Sequence, residues 1–192
     1  MRRLTERSTG AIRRTAVRSV LPLALAVFGA EIPLAQERFT TTDIRSEFQS
    51  SLTAVPDPAS LTVRGMVYVP AYSEIRIMTG RTRMDLAATL SVHNTSNDKP
   101  LVLDRIDYFD TAGALVQSYL GEPIALRPYA TVQVFVAEDD RRGGTGANFA
   151  VTWAANGPIT EPAIEAILIG GVGTRGYSIV SPGRPVQAAG PP

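Results

Sequence analysis

The residues equipped for chemistry are few. His93 is the single imidazole and the chain has no cysteine, so thiol nucleophiles, disulfides, Cys-ligated zinc and most His-based metal centres are excluded by composition. A serine triad would require His93 to meet a serine and an acid from other elements, and the sequence has no Gly-x-Ser-x-Gly elbow. Carboxylates are more numerous. Asp104, Asp107 and Asp110 stand at three-residue steps, which in a strand puts them on alternating faces and disfavours a shared cation. Glu138-Asp139-Asp140 followed by Arg141-Arg142 reads as a self-neutralising loop. The competing chemistry is a carboxylate-based, Ca²⁺-dependent sugar binder or hydrolase-like enzyme drawing on Glu138, Asp139, Asp140 and Glu161, since oxygen-only ligands select Ca²⁺ over transition metals.

Two motif matches fail on context. Gly171-Val-Gly173-Thr-Arg-Gly176 has dinucleotide-fingerprint spacing, but that mechanism needs a following helix and an acid about twenty residues on. Here Tyr-Ser-Ile-Val-Ser-Pro follows, which is strand-like, so the glycines read as a turn between edge strands. Ser96-Asn-Asp-Lys99 matches the Ser-x-x-Lys of penicillin-recognising enzymes. Pro100 disfavours helix at Lys99, and no Ser-Asp-Asn or Lys-Thr-Gly partner exists, which leaves a polar loop. Asn94-Thr-Ser96 also fits a glycosylation acceptor.

The most unusual stretch runs from Glu138 to Trp153. A charged loop, then Gly143, Gly144 and Gly146, an Asn and a strand ending in the only Trp exceed what a tight turn needs. Glycines permit close backbone approach and amide nests for an anion or a partner carbonyl; a long connection with a β-bulge is the competing reading. The candidate binding set is therefore Tyr72, Glu138, Asp139, Gly143, Gly144, Gly146 and Asn148. No catalytic residue, metal site or cofactor is expected.

The elements that must position these residues are short strands. Leu86, Ala88, Leu90 and Val92 alternate with Ala87, Thr89, Ser91 and His93; Val132, Val134 and Val136 alternate likewise; and Phe149, Val151 and Trp153 should point inward. Asp110-Thr-Ala-Gly113 is a turn, with Asp at its first position and Gly taking positive φ. The run Leu101 to Phe109 does not sort, because Arg105 and Asp107 share parity with Leu101, Leu103 and Phe109; a bulge or an exposed sheet face would explain it. About seven such runs, in a chain with 16 Gly and 14 Pro, predict an all-β, immunoglobulin-like antiparallel β-sandwich over 61–184. A polar linker over 36–60 with one short helix from Asp43 to Leu52 precedes it, and a disordered tail over 185–192 follows.

Charge is unevenly placed. Residues 1–35 hold six Arg against Glu6 and Glu31, and the remaining 13 basic and 16 acidic residues leave the rest mildly acidic. An Arg-rich start, the apolar run Val20 to Ala30 and small residues after it have the layout of an export signal or N-terminal anchor, too short to span a bilayer. The basic surplus leaves with that segment, so no nucleic-acid partner is expected, and membrane contact is expected only through an uncleaved N-terminal segment. The expected location is periplasmic or secreted, with inner-membrane anchoring if cleavage does not occur.

Val67-Tyr-Val-Pro-Ala-Tyr-Ser73, Leu90-Ser-Val-His-Asn94, the Tyr108-Phe-Asp-Thr-Ala-Gly113 hairpin, Gly143-Gly-Thr-Gly-Ala-Asn-Phe149 with Trp153, and Glu165-Ala-Ile-Leu-Ile-Gly170 occur in this order between about Gly65 and Arg184. In them the sequence resembles the bacterial domain-of-unknown-function family numbered 3124. The resemblance implies an exported bacterial domain and brings no established activity with it. Members of that family can be lipid-anchored, a route this cysteine-free chain lacks. Together these readings favour a non-catalytic module that binds a partner protein or an envelope polymer.

Overall fold

The computed structural model describes residues 41–186. The expected export segment over 1–35 lies outside the described residues, and so do 187–192. Met1–Gln36 and Glu37–Pro192 are separate units; the fold is that of the second. Among the described residues no helix is long and apolar enough to cross a membrane.

The strands are β1 (Leu52–Thr53), β2 (Val63–Pro70), β3 (Glu74–Ile77), β4 (Thr82–Asp85), β5 (Ala87–His93), β6 (Leu101–Phe109), β7 (Leu115–Ser118), β8 (Ile124–Leu126), β9 (Thr131–Val136), β10 (Asn148–Ala155), β11 (Ala163–Val172), β12 (Arg175–Pro182) and β13 (Arg184–Pro185). They form an all-β sandwich. The larger sheet has the order β1-β8-β6-β10-β2-β13 with β7 also on β6, the smaller has the order β12-β11-β5-β9, and β3 and β4 make a separate ribbon. All pairings are antiparallel. The strands outnumber the seven apolar runs because short edge pieces and the ribbon carry little hydrophobic signal.

The core follows from period-two alternation. Leu86, Ala88, Leu90 and Val92, then Val132, Val134 and Val136, then Phe149, Val151 and Trp153 are all buried. β6 changes phase midway. Its register against β10 shifts between Thr152 and Trp153, with Thr152 opposite Arg105 and Trp153 opposite Leu103. Asp104 is the extra residue of a bulge. Leu101 and Leu103 therefore point inward before it, and Ile106 and Tyr108 after it. Arg105 and Asp107 stand on the outer face, paired at 2.6 Å; the other oxygen of Asp107 is buried without a partner among the described residues.

Within the segment expected as a linker with one short helix, the residues from Thr41 onward pack on the sandwich. A helix, α1 (Thr41–Glu47), carries the fully buried Ile44 into the main core, and Leu52 and Thr53 pair with Leu126 and Ala125. The segment looks polar because Ile44 is the one large apolar residue of α1. The tail boundary also moves. Arg184 and Pro185 pair with Tyr68 and Val67, and the Val186 amide donates to the Met66 carbonyl at 2.9 Å.

The Gly171–Gly176 stretch is the β11–β12 hairpin: Val172 pairs with Arg175, and Gly173 takes φ 60° in the turn between them. Asn94, read as a glycosylation acceptor, is instead an interior fastener. It is buried, its Nδ2 lies 2.8, 3.3 and 3.0 Å from the carbonyls of Lys99, Leu126 and Arg127, and its Oδ1 accepts from the Ser96 amide at 3.0 Å. One side chain thus ties the β5–β6 loop to the end of β8.

Asn94→Ala leaves these carbonyls, that of Leu126 among buried surroundings, without their side-chain donor, each buried loss costing about 1–3 kcal/mol. A drop of about 3 kcal/mol in urea unfolding is expected, and a larger one for Asn94→Asp, which turns a carboxylate toward carbonyl oxygens. A change below about 1 kcal/mol would show that the loop is held by other contacts.

Candidate functional site

The Gly-rich loop closes one end of the sandwich. Arg141–Gly146 forms a 3-10 turn interrupted at Gly144, whose φ of 70° and ψ of −160° suit glycine. Its backbone is stitched to two neighbouring loops. The Gly144 carbonyl accepts from the Ser73 amide at 3.0 Å, the Ala147 carbonyl from Ala71 at 2.8 Å, and the Gly143 carbonyl from the Thr111 amide at 2.9 Å. The Thr111 hydroxyl donates to the Gly143 carbonyl at 3.0 Å, and its oxygen accepts from the Gly146 amide at 2.8 Å. The Asp110–Gly113 turn has the expected geometry: Gly113 has φ 80°, and Asp110 Oδ1 accepts from the amides of Ala112 and Ala114 at 2.8 Å.

Below the loop lies a buried polar layer. The Tyr108 hydroxyl and Ser73 Oγ are 2.7 Å apart. A Cβ on Gly143 would collide with the Tyr108 hydroxyl and stand 2.7 Å from Ser73 Oγ, so only glycine lets the loop come down onto this pair. Asp140 is buried and turned inward. Arg142 grips it bidentately, Nε to Oδ1 at 2.8 Å and Nη2 to Oδ2 at 2.6 Å, and reaches Gln117 Oε1 at 3.4 Å. The guanidinium's hydrogen bonds hold the Asp140 carboxyl below its ordinary range. Burial pushes the Tyr108 and Tyr119 phenols above theirs, the Ser73 hydrogen bond opposing it at Tyr108.

The charged loop neutralises itself through Asp140 and Arg142, whereas Arg141 pairs with Asp85 of β4. Arg83 and Glu74 add a second pair at 2.6 Å. Glu74, Arg83, Asp85, Arg141 and Gly144 line an open charged cleft of about 470 Å³ between loop and ribbon. Of the candidate binding residues, Glu138 and Asp139 are exposed in the approach to the loop, Gly143 is buried, Gly144 stands at the cleft rim, and Asn148 donates to the Gly146 carbonyl at 3.3 Å. Tyr72 packs against the core, whereas Tyr68 stands on the outer face of the large sheet. Sequence reasoning missed Ser73, Tyr108 and Thr111 as the loop's anchors. No periodicity marks them, although all three fall within the motifs that carry the family resemblance.

The carboxylates of the calcium reading are not brought together. Asp140 belongs to Arg142, while Glu161 lines a separate trough of about 260 Å³ with Gly65, Trp153 and Ile159. Among the described residues no three His, Asp or Glu side chains converge on a cation site. His93 lies between two hydroxyls, Ser91 Oγ at 2.9 Å from Nε2 and Thr131 Oγ1 at 2.8 Å from Nδ1. Both flanks of β5 are committed to β9 and β11, so its backbone amides are not free to build an oxyanion hole beside Ser91.

The family described as "Protein of unknown function (DUF3124)" matches residues 64–186, and the chain belongs to that family. No curated protein matches it. Among solved structures, the crystal structure of Thermotoga maritima 1070 superposes with a TM-score of 0.38 at 10% identity, over 62% of this chain and 92% of that one.

Two outcomes follow from the loop geometry. Gly143→Ala should destabilise the protein by about 2 kcal/mol or more through overpacking, while Thr145→Ala, at an exposed position, should stay within about 0.5 kcal/mol; equal urea midpoints for the two would sink the packing account. Because folding lowers the Asp140 pKa, the ionised form stabilises fully above the ordinary carboxylate range near pH ~4, and the effect is lost as pH falls through the lower folded value. The stability gap between the unmodified protein and Asp140→Asn should be flat above about pH 5 and shrink below about pH 4, which urea unfolding across pH measures.

Proposed function

We propose that this member of the family is an exported, non-catalytic, immunoglobulin-like module that binds a partner protein. Export rests on the Arg-rich start and apolar run of residues 1–35, with a periplasmic or secreted destination. The immunoglobulin-like description rests on two antiparallel sheets between which the chain crosses repeatedly, as from β5 to β6 and from β12 to β13.

The observation that carries the binding reading is the outer face of the small sheet. Val180 is opposite Ile167, Ile167 is opposite Thr89, and Thr89 is opposite Phe135. This row crosses all four strands. Val180 is 59% exposed, Phe135 51%, and Ile169 on the same face 57%. Isolated surface apolar residues are ordinary, but a contiguous apolar patch on a β-sheet marks an interaction surface. The face grades into Glu165, Gln133, His93 and Thr131, which supply a polar rim.

The cleft beside the Gly-rich loop supports a second reading, in which an envelope polymer is held. Arg141 is held at its rim by Asp85 and Gly144 by the Ser73 amide, and Glu74, Arg83 and Asp85 offer charges of both signs. A rigid irregular loop that presents charged groups is the usual form of a recognition site.

A photo-crosslinking side chain at Phe135 or at Thr145, installed in the full chain in cells, separates the two. Partner binding by the sheet face predicts a discrete protein adduct from position 135 that Ile169→Asp abolishes, with none from 145. Adducts from 145 alone would move the contact surface to the loop.

A further inference from the structure

We infer that the β3–β4 ribbon is a docking element whose tip seats on an anionic phospholipid bilayer. The ribbon is an excursion between β2 of one sheet and β5 of the other, closed at its base by the Leu86 amide donating to the Ser73 carbonyl at 2.9 Å. One face carries the buried Met84, with Ile75 and Ile77 packed on the core. The other carries Glu74, Arg76, Arg83 and Asp85, because Glu74 is opposite Asp85 and Arg76 is opposite Arg83.

Charge is balanced at the base and unbalanced at the tip. Both acids are taken, Glu74 by Arg83 and Asp85 by Arg141. Of the three arginines within 75–84, Arg83 is thus neutralised, and Arg76 and Arg81 have no acid partner among the described residues. Arg76 and Arg83 are directly opposed, an arrangement that repels across a strand pair. Among the described residues Arg76 reaches only the Gly80 carbonyl, at 3.1 Å, and Arg81 is exposed at the turn. Glu74 offsets the charge of Arg83, and an anionic surface beside the tip would supply the counter-charge that Arg76 and Arg81 lack.

The tip also projects an apolar side chain. Met78 is 80% exposed, the highest exposure among the large hydrophobic residues described, and holds φ 54°, a left-handed conformation costly for any residue but glycine. A soluble polyanion would account for the arginines but gives Met78 nothing to contact. A bilayer accounts for both: guanidiniums at the headgroups and one flexible apolar side chain below them. This docking is independent of which surface holds a partner.

The chain has no cysteine, so Met78→Cys gives the full-length protein a unique site for the environment-sensitive fluorophore NBD, and Ala112→Cys gives a control at an exposed turn outside the ribbon. With vesicles of phosphatidylcholine containing one third phosphatidylglycerol, the label at 78 should brighten and shift to the blue; the label at 112 should not. Arg76→Gln with Arg81→Gln should weaken that partitioning about 25-fold, taking fivefold per arginine as the equivalent of the ~1 kcal/mol a basic residue gains at an anionic surface. No change at 78, the same change with pure phosphatidylcholine, or an equal change with soluble polyphosphate would each overturn the inference. The last would assign the arginines to a polyanion. The label position and the lipid comparison separate tip docking from any bilayer contact made by the N-terminal apolar run.

Discussion

The phase change in β6 is the constraint on which the rest of the sandwich depends. A strand of the large sheet that kept strict alternation from Leu101 would bury Arg105 and Asp107 and expose Ile106 and Tyr108. One extra residue at Asp104 reverses the second half, so both ends of the strand feed the same core. Before the bulge, Leu101 and Leu103 meet β8; after it, Ile106 and Tyr108 lie beneath the loop end. Tyr108 then packs against Phe149 with ring centroids 4.9 Å apart, a tilted aromatic contact that fixes where the phenol hydroxyl arrives.

Its arrival dictates the loop. A buried hydroxyl without a partner is costly, and Ser73 satisfies it only if the chain leaving β2 turns back over the strand end. That turn brings the Ala71 and Ser73 amides to the carbonyls of Ala147 and Gly144, and Gly143 is the residue that fits the space left above Tyr108. Thr111 closes the third side by bonding both Gly143 and Gly146. The glycines are therefore a consequence of close packing over a buried polar layer, and much of their backbone bonding is turned inward. An amide nest for an anion would need those donors turned outward.

Strands with regular alternation were legible in the sequence, and so was the place where alternation failed: Leu86 to Val92 and Phe149 to Trp153 read directly, and the disorder in Leu101 to Phe109 pointed to the bulge. What escaped has a common physical character. Ile44 is a single anchor in a polar helix, and no period announces one residue. Asn94 works through four backbone partners from two chain segments, a pattern that exists only after folding. The charged loop was half legible: neutralisation within it was readable, but Arg141 finds its acid in Asp85, 56 residues away. Short-range charge patterning predicts pairs along the chain and is blind to pairs made by topology.

The distribution of satisfied groups separates scaffold from surface. At the loop end nearly every polar side chain is spent on another part of the chain: Ser73 on Tyr108, Thr111 on two glycines, Arg142 on Asp140, Arg141 on Asp85. Such groups recognise a partner only by giving up an internal bond, so their contribution to affinity is reduced by what they lose. The apolar face of Phe135, Ile167, Ile169 and Val180, and the ribbon tip of Arg76, Met78 and Arg81, carry no comparable internal commitment. A patch that loses little on binding can convert most of its contact into affinity, and on this molecule those patches lie on the small sheet and the ribbon rather than on the glycine-rich loop that is most conspicuous in the sequence.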